Sequence, residues 1–192
     1  TSAATGARGF SSDGPIDING GTVNVTLAGN GATYTNTSGV ADSYSASALK
    51  SDTNINILGG SVTTTSSGTA GKGINADGAV TIGSASTTPT LNIKTTGARI
   101  LVSGTDYAHP KTLVAAGAIT INSGNNTFNS TDDGIHSDTS VTVNGGTNAV
   151  NAISTTSGVG EGIEAPIINL AGGTNNINAS NDGINATYGT VS

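Results

Sequence analysis

The chain has 192 residues, of which 29 are glycine and only 9% are charged; Cys, Met and Trp are absent, and 12 acidic against 6 basic residues give a formal charge of −6. Without cysteine there is no disulfide framework, thiolate metal site or thiol nucleophile. The acidic balance argues against nucleic acid as a partner, because counterion release needs clustered Lys and Arg, and no run approaches the ~18 apolar residues of a membrane helix, so membrane insertion is not expected. The 34% hydrophobic fraction is rich in Ile, Val and Leu in an ordered pattern, which predicts one folded domain over residues 1–192 rather than a linker. A chain that opens on Thr1 without a signal peptide reads as processed or excised, and the Thr/Asn/Gly surface fits a secreted or cell-surface setting.

The elements repeat along the chain. Gly9-Phe10-Ser11-Ser12-Asp13 leads to Ile16, Ile18 and Gly20-Gly21. Ala48-Leu49-Lys50-Ser51-Asp52 leads to Ile55, Ile57 and Gly59-Gly60, and Gly73-Ile74-Asn75-Ala76-Asp77 to Val80 and Ile82. Thr112-Leu113 precedes Ile119 and Ile121; Gly134-Ile135-His136-Ser137-Asp138 precedes Val141, Val143 and Gly145-Gly146. Gly162-Ile163-Glu164-Ala165 precedes Ile168, Leu170 and Gly172-Gly173, and Gly183-Ile184-Asn185-Ala186 opens a last copy. Subtracting the anchor positions 9, 48, 73, 112, 134, 162 and 183 gives intervals of 39, 25, 39, 22, 28 and 21 residues. Each copy holds short period-2 strands of β-branched residues separated by Gly pairs that supply φ > 0 turns. One such unit cannot bury its own apolar face, so the copies are expected to stack at ~4.8 Å as a parallel β-helix, an all-β solenoid of about seven rungs and roughly 30 Å.

Stacking turns the string into columns. The residue after each anchor is Phe10, Leu49, Ile74, Leu113, Ile135, Ile163 and Ile184, an inward apolar file; two places on stand small residues, from Ser12 and Ser51 to Ala186. Asn19, Asn122 and Asn144 fall in one column and Asn129, Asn151 and Asn178 in another, as amide ladders would. Asp13, Asp52, Asp77 and Asp138 form a file read as turn-capping aspartates. The 39-residue intervals carry insertions near Leu27–Ala46 and Thr95–Pro110, which hold Tyr34, Tyr44, Tyr107 and His109. Exposed tyrosine rings there stack on sugar faces or pack the loops against the rod.

The residue before each anchor is Arg8, Ser47, Lys72, Lys111, Asp133, Glu161 and Asp182, basic or neutral first and acidic last. Stacked carboxylates repel by roughly 1 kcal/mol per neighbouring pair. With Asp132, Asp138 and Glu164 close by, the acidic rungs read as an oxygen-only set suited to Ca2+; the alternative is screening by solvent and Lys111. The split column also permits head-to-tail self-association of rods, an open contact that generates filaments.

Gly73-Ile74-Asn75-Ala76-Asp77-Gly78, Asp132-Asp133-Gly134-Ile135-His136, Glu161-Gly162-Ile163-Glu164-Ala165 and Asn181-Asp182-Gly183-Ile184-Asn185-Ala186 resemble the bacterial secreted carbohydrate-binding β-helix proteins related in fold to family 9 polysaccharide lyases. The resemblance spans roughly residues 47–192. It implies a right-handed parallel β-helix, Ca2+ at the Asp-Asp-Gly rungs and binding of an acidic, pectin-like polysaccharide such as polygalacturonate; Asp132, Asp133, Glu161 and Asp182 match the metal motif. Lys72, Lys111 and the two insertions depart from it. Three functions follow for comparison: non-catalytic binding of acidic polysaccharide through Ca2+, a structural subunit of an extracellular filament or stalk, and a lyase using Lys72 or Lys111 as base. The lyase is weakest, because an anionic neighbour raises a lysine pKa where a base needs it lowered.

Overall fold

The computed structural model describes residues 2–156 and 159–192, and among these there is no helix. The strands pair in parallel, copy upon copy, in a sheet that wraps three faces. The first face stacks β1 (Arg8–Ser12), β5 (Ser47–Ser51), β7 (Lys72–Ala76), β12 (Lys111–Ala115), β15 (Asp133–Ser137) and the leading parts of β18 (Ile163–Leu170) and β20 (Ile184–Val191). The second stacks the starts of β2 (Ile16–Leu27) and β6 (Ile55–Ser66) on β8 (Val80–Ile82), β13 (Ile119–Ile121), β16 (Ser140–Val143) and the end of β18. The third continues β2 and β6 onto β9 (Thr90–Thr95), β14 (Asn125–Ser130), β17 (Thr147–Ala152) and β19 (Thr174–Ala179). This all-β, parallel arrangement fits the solenoid expected from the repeat.

Register follows the columns. Leu49 pairs with Ile74, Ile74 with Leu113, Leu113 with Ile135 and Ile135 with Ile163, and each is at most 2% exposed. They meet Ile57, Ile82, Ile93 and Phe128 from the other faces in one core. Burying such a side chain contributes about 1.5–3 kcal/mol, and only stacking removes both its flanks from water. Phe10 departs from the expected inward file: it pairs with Leu49 alone and is 48% exposed, because no further strand covers its other side.

The turn chemistry differs from the expectation in two places. Of each Gly pair only the second member, Gly21, Gly60, Gly146 or Gly173, has φ between +74° and +86°. In the capping file the serines do the work. The Ser51 hydroxyl accepts the Thr53 N–H at 3.0 Å, and the Ser137 hydroxyl accepts the Thr139 N–H at 3.1 Å. The neighbouring aspartates instead face cations: Lys50 lies 3.0 Å from Asp52 and 2.6 Å from Asp77. Ser51 and Ser137 are buried at the strand ends, whereas Asp52, Asp77 and Asp138 are exposed.

Amide ladders form where expected between Asn122 and Asn144 and between Asn129 and Asn151, both at 2.9 Å. A third ladder runs three residues before the second, in the same register. Asn126 donates to Asn148 and Asn148 to Asn175, each at 2.8 Å, and all three donate back to the carbonyl three residues earlier. Antiparallel hairpins occupy the insertions: β3 (Ala32–Thr35) with β4 (Ala41–Tyr44), and β10 (Ile100–Ser103) with β11 (Asp106–Ala108).

Candidate functional site

The charged column stands two residues before the apolar file on the first face; its middle members Ser47, Lys72 and Asp133 are buried, Lys111 and Glu161 are half-buried, and Arg8 and Asp182 at its ends are exposed. Ser47 pairs with Lys72, Lys72 with Lys111 and Lys111 with Asp133. Glu161 continues it, since its carbonyl accepts the Gly134 N–H at 2.8 Å and its own N–H donates to Asp133 Oδ1 at 3.3 Å. The Lys111 ammonium donates to Asp133 Oδ2, with the two side chains 12% and 8% exposed. Burial pushes the Asp133 carboxyl up, but Lys111 and the Glu161 amide outweigh it and hold it below the usual carboxylate range.

The second insertion closes over this column. It carries His109 onto the strands, where Nδ1 lies 3.0 Å from Asp132 Oδ2, and the His109 carbonyl accepts a hydrogen bond from the Lys72 ammonium. Asp132 is 3% exposed, and its Oδ1 has no hydrogen-bond partner. One ligand atom each from His109, Asp132 and Asp133 lie within 4.8 Å of one another. A buried carboxylate oxygen without a donor is costly, so this trio is the place among the described residues where a cation relieves an existing penalty.

The remaining acidic residues do not join that trio. His136 stands between Glu164 Oε2 at 2.7 Å and Asp138 Oδ1 at 3.0 Å on the outward side. Its hydrogen bond, outweighing burial, lowers Glu164. Glu161 accepts Asn185 Nδ2 at 3.0 Å, and burial together with the Glu164 carboxylate raises it to about 7. Asp182 is exposed. The acidic rungs are therefore interleaved with Lys111, His109 and His136 rather than forming an oxygen-only set. A cleft of about 260 Å3 runs along them between His109, Lys111, Asp133, Val159, Glu161 and Glu164.

Glu161 gives a pH signature. A carboxyl raised in the folded state favours folding while it stays protonated, so its contribution is complete below about 4.5 and is lost as pH rises to about 7. In metal-free buffer the melting temperature of the protein should fall across that window, and Glu161→Gln should flatten the fall. Identical profiles for the two proteins would contradict the assignment.

Lys72 departs from the expectation that its neighbours would raise it. Burial first, then Lys111, lowers it to about 7, against the opposing pull of Asp133 and Asp132. Its ammonium is nonetheless covered and engaged by the His109 carbonyl, and it does not line the cleft.

The tyrosines separate into two settings. Tyr34 and Tyr44, on the first hairpin, are 45% and 46% exposed with ring centroids 6.0 Å apart at 47°. With Arg8, Lys50, Asn75 and Asp77 they line a cleft of about 390 Å3, while the inner side of the Tyr44 ring rests on Gly6. Tyr107 is covered by the Arg99 guanidinium, 4.0 Å above its ring. Neither His109, placed by sequence only on the insertion, nor Arg99 falls in a column, because an insertion has no counterpart in the neighbouring copies.

Residues 69–158 match the model of a family described as carbohydrate-binding domain-containing protein. The match supports carbohydrate binding and a binding-module role for this chain, and it spans Lys72, His109, Lys111, Asp132 and Asp133. No curated protein and no solved structure matches the chain.

Proposed function

We propose that the chain is a non-catalytic, extracellular module that binds acidic, pectin-like polysaccharide, with Ca2+ at Asp132 and Asp133. The observation that carries this reading is the buried cluster inside the matched segment: a carboxylate whose Oδ1 lacks a partner beside a second carboxylate, at the edge of an open cleft. The residues fit a hard cation. His109 holds Asp132 Oδ2, as an outer-shell partner does, and leaves Oδ1 without a donor. Lys111 takes Asp133 Oδ2, leaving Oδ1, which receives only a 3.3 Å amide contact. A bound Ca2+ supplies positive charge that bridges protein carboxylates to those of a uronate chain. Lys111 lines the same cleft and adds a point charge for the polymer. The tilted Tyr34 and Tyr44 rings offer an apolar surface for further sugar rings.

The test is affinity electrophoresis of the intact protein through gels containing polygalacturonate, its fully methyl-esterified form, or neutral galactan. Retardation confined to the free acid supports the reading. Equal retardation by the ester and the galactan overturns the acidic specificity while leaving carbohydrate binding in place.

A further inference from the structure

The second insertion, through residues 96–99, shapes another cleft, which Asp132 borders. It measures about 230 Å3 and is lined by Arg99 together with the hydroxyl residues Thr96, Thr131, Ser154, Thr155 and Thr156. That is below the roughly 300 Å3 at which pockets for drug-sized ligands begin, so it takes one residue of a polymer rather than a whole oligosaccharide.

Among the described residues, Arg99 shares with Arg8 and Lys94 the lack of a carboxylate partner, but only Arg99 is stacked on an aromatic ring. Lys50 is paired with Asp52 and Asp77, Lys111 with Asp133, and Lys72 is turned to the His109 carbonyl. Among the described residues, Arg99 has no carboxylate within ion-pair distance. It stands just before β10 with its guanidinium over the ring of Tyr107 on β11, and the pairing of Leu101 with Tyr107 fixes those two strands together. Stacking on the ring restrains the guanidinium without using its N–H donors, and none of them has a side-chain or backbone acceptor among the described residues. The guanidinium is the fork that matches a planar carboxylate with two parallel hydrogen bonds.

We infer that Arg99 receives the carboxylate of a uronate residue in this cleft, with the threonine and serine hydroxyls meeting the ring hydroxyls. The inference rests on the acidic-polysaccharide reading above and names a recognition element distinct from the cation cluster. Thr131 already donates its hydroxyl to the Gly97 carbonyl at 2.6 Å, so it faces the ligand as an acceptor. Asp132 borders the cleft as well, and its charge opposes an anion; a cation on Asp132 removes that repulsion, so cation and uronate reinforce one another.

The experiment titrates wild type, Arg99→Ala and Arg99→Lys with trigalacturonate and with its methyl ester, each in calcium and in chelator. Arg99→Lys keeps the charge and loses the fork, which guards against a folding defect in the alanine variant. Arg99→Ala should bind the acid at least about tenfold more weakly than wild type in calcium, with less than a twofold change for the ester; Arg99→Lys should recover only part of the loss. Acid binding within twofold of wild type for both variants overturns the inference and leaves the acidic-polysaccharide reading standing. No acid binding by wild type in either buffer overturns both.

Discussion

Gly73→Val should cost at least about 4 kcal/mol, a large part of the 5–15 kcal/mol that typically holds a domain folded. A Cβ at Gly73 would lie 2.2 Å from Ile93 Cγ2 and 2.5 Å from the Thr112 carbonyl oxygen. The backbone contact cannot be relieved by a rotamer change. The same squeeze recurs at Gly9 under Val25, Gly134 under Val150 and Gly162 under Ile177. Ala48 and Thr112 break the glycine column, and their coils differ on the third face: by register the position of Ile93 is taken by Thr64 in one and by Phe128 in the other. A urea melt followed by far-ultraviolet circular dichroism reads the effect, with Gly14→Ala as control, since its nearest neighbour is the Ser12 hydroxyl at 3.9 Å. A Gly73→Val midpoint close to wild type would mean that the faces are not packed as described.

The second large effect comes from the charged column. Asp133→Asn removes the carboxylate that Lys111 faces and leaves two adjacent ammonium groups, Lys72 and Lys111, on a covered strand face. Breaking a buried pair from one side typically costs 3–5 kcal/mol, because the remaining charge stays desolvated without its partner. The loss should therefore be about 3 kcal/mol or more, read from the denaturation midpoint. Adding Lys111→Met should return a substantial part of it, since the uncompensated charge goes with the lysine. If the double variant is as unstable as the single one, the cost comes from Asp133's hydrogen bond to the Glu161 amide rather than from the charge.

Much of this was legible in the sequence, and for a stated reason. A parallel stack places like residue upon like residue, so the apolar file through Leu49, Ile74, Leu113, Ile135 and Ile163, and the order Lys72, Lys111, Asp133, could be read as columns before any coordinates. What the column cannot carry is the third dimension between faces. It marked Gly73 as an anchor without showing Ile93 above it, and it put Asp132 beside Asp133 without showing that one carboxylate meets His109 and the other Lys111. The insertions were legible as insertions only. Their contribution to the site depends on which way each hairpin folds back, and neither His109 nor Arg99 has an equivalent in adjacent copies to reveal that. The ladder of Asn126, Asn148 and Asn175 has no distinct signal in the sequence, because asparagine is so common here that many columns align by chance.

The most direct test of the account is calorimetric titration of polygalacturonate into the intact protein, first with Ca2+ present and then after chelation. The cluster of Asp132, Asp133 and His109 predicts saturable binding with Ca2+ that weakens at least about tenfold without it. Binding of equal strength in both buffers, or none in either, would contradict a cation-bridged site on this column.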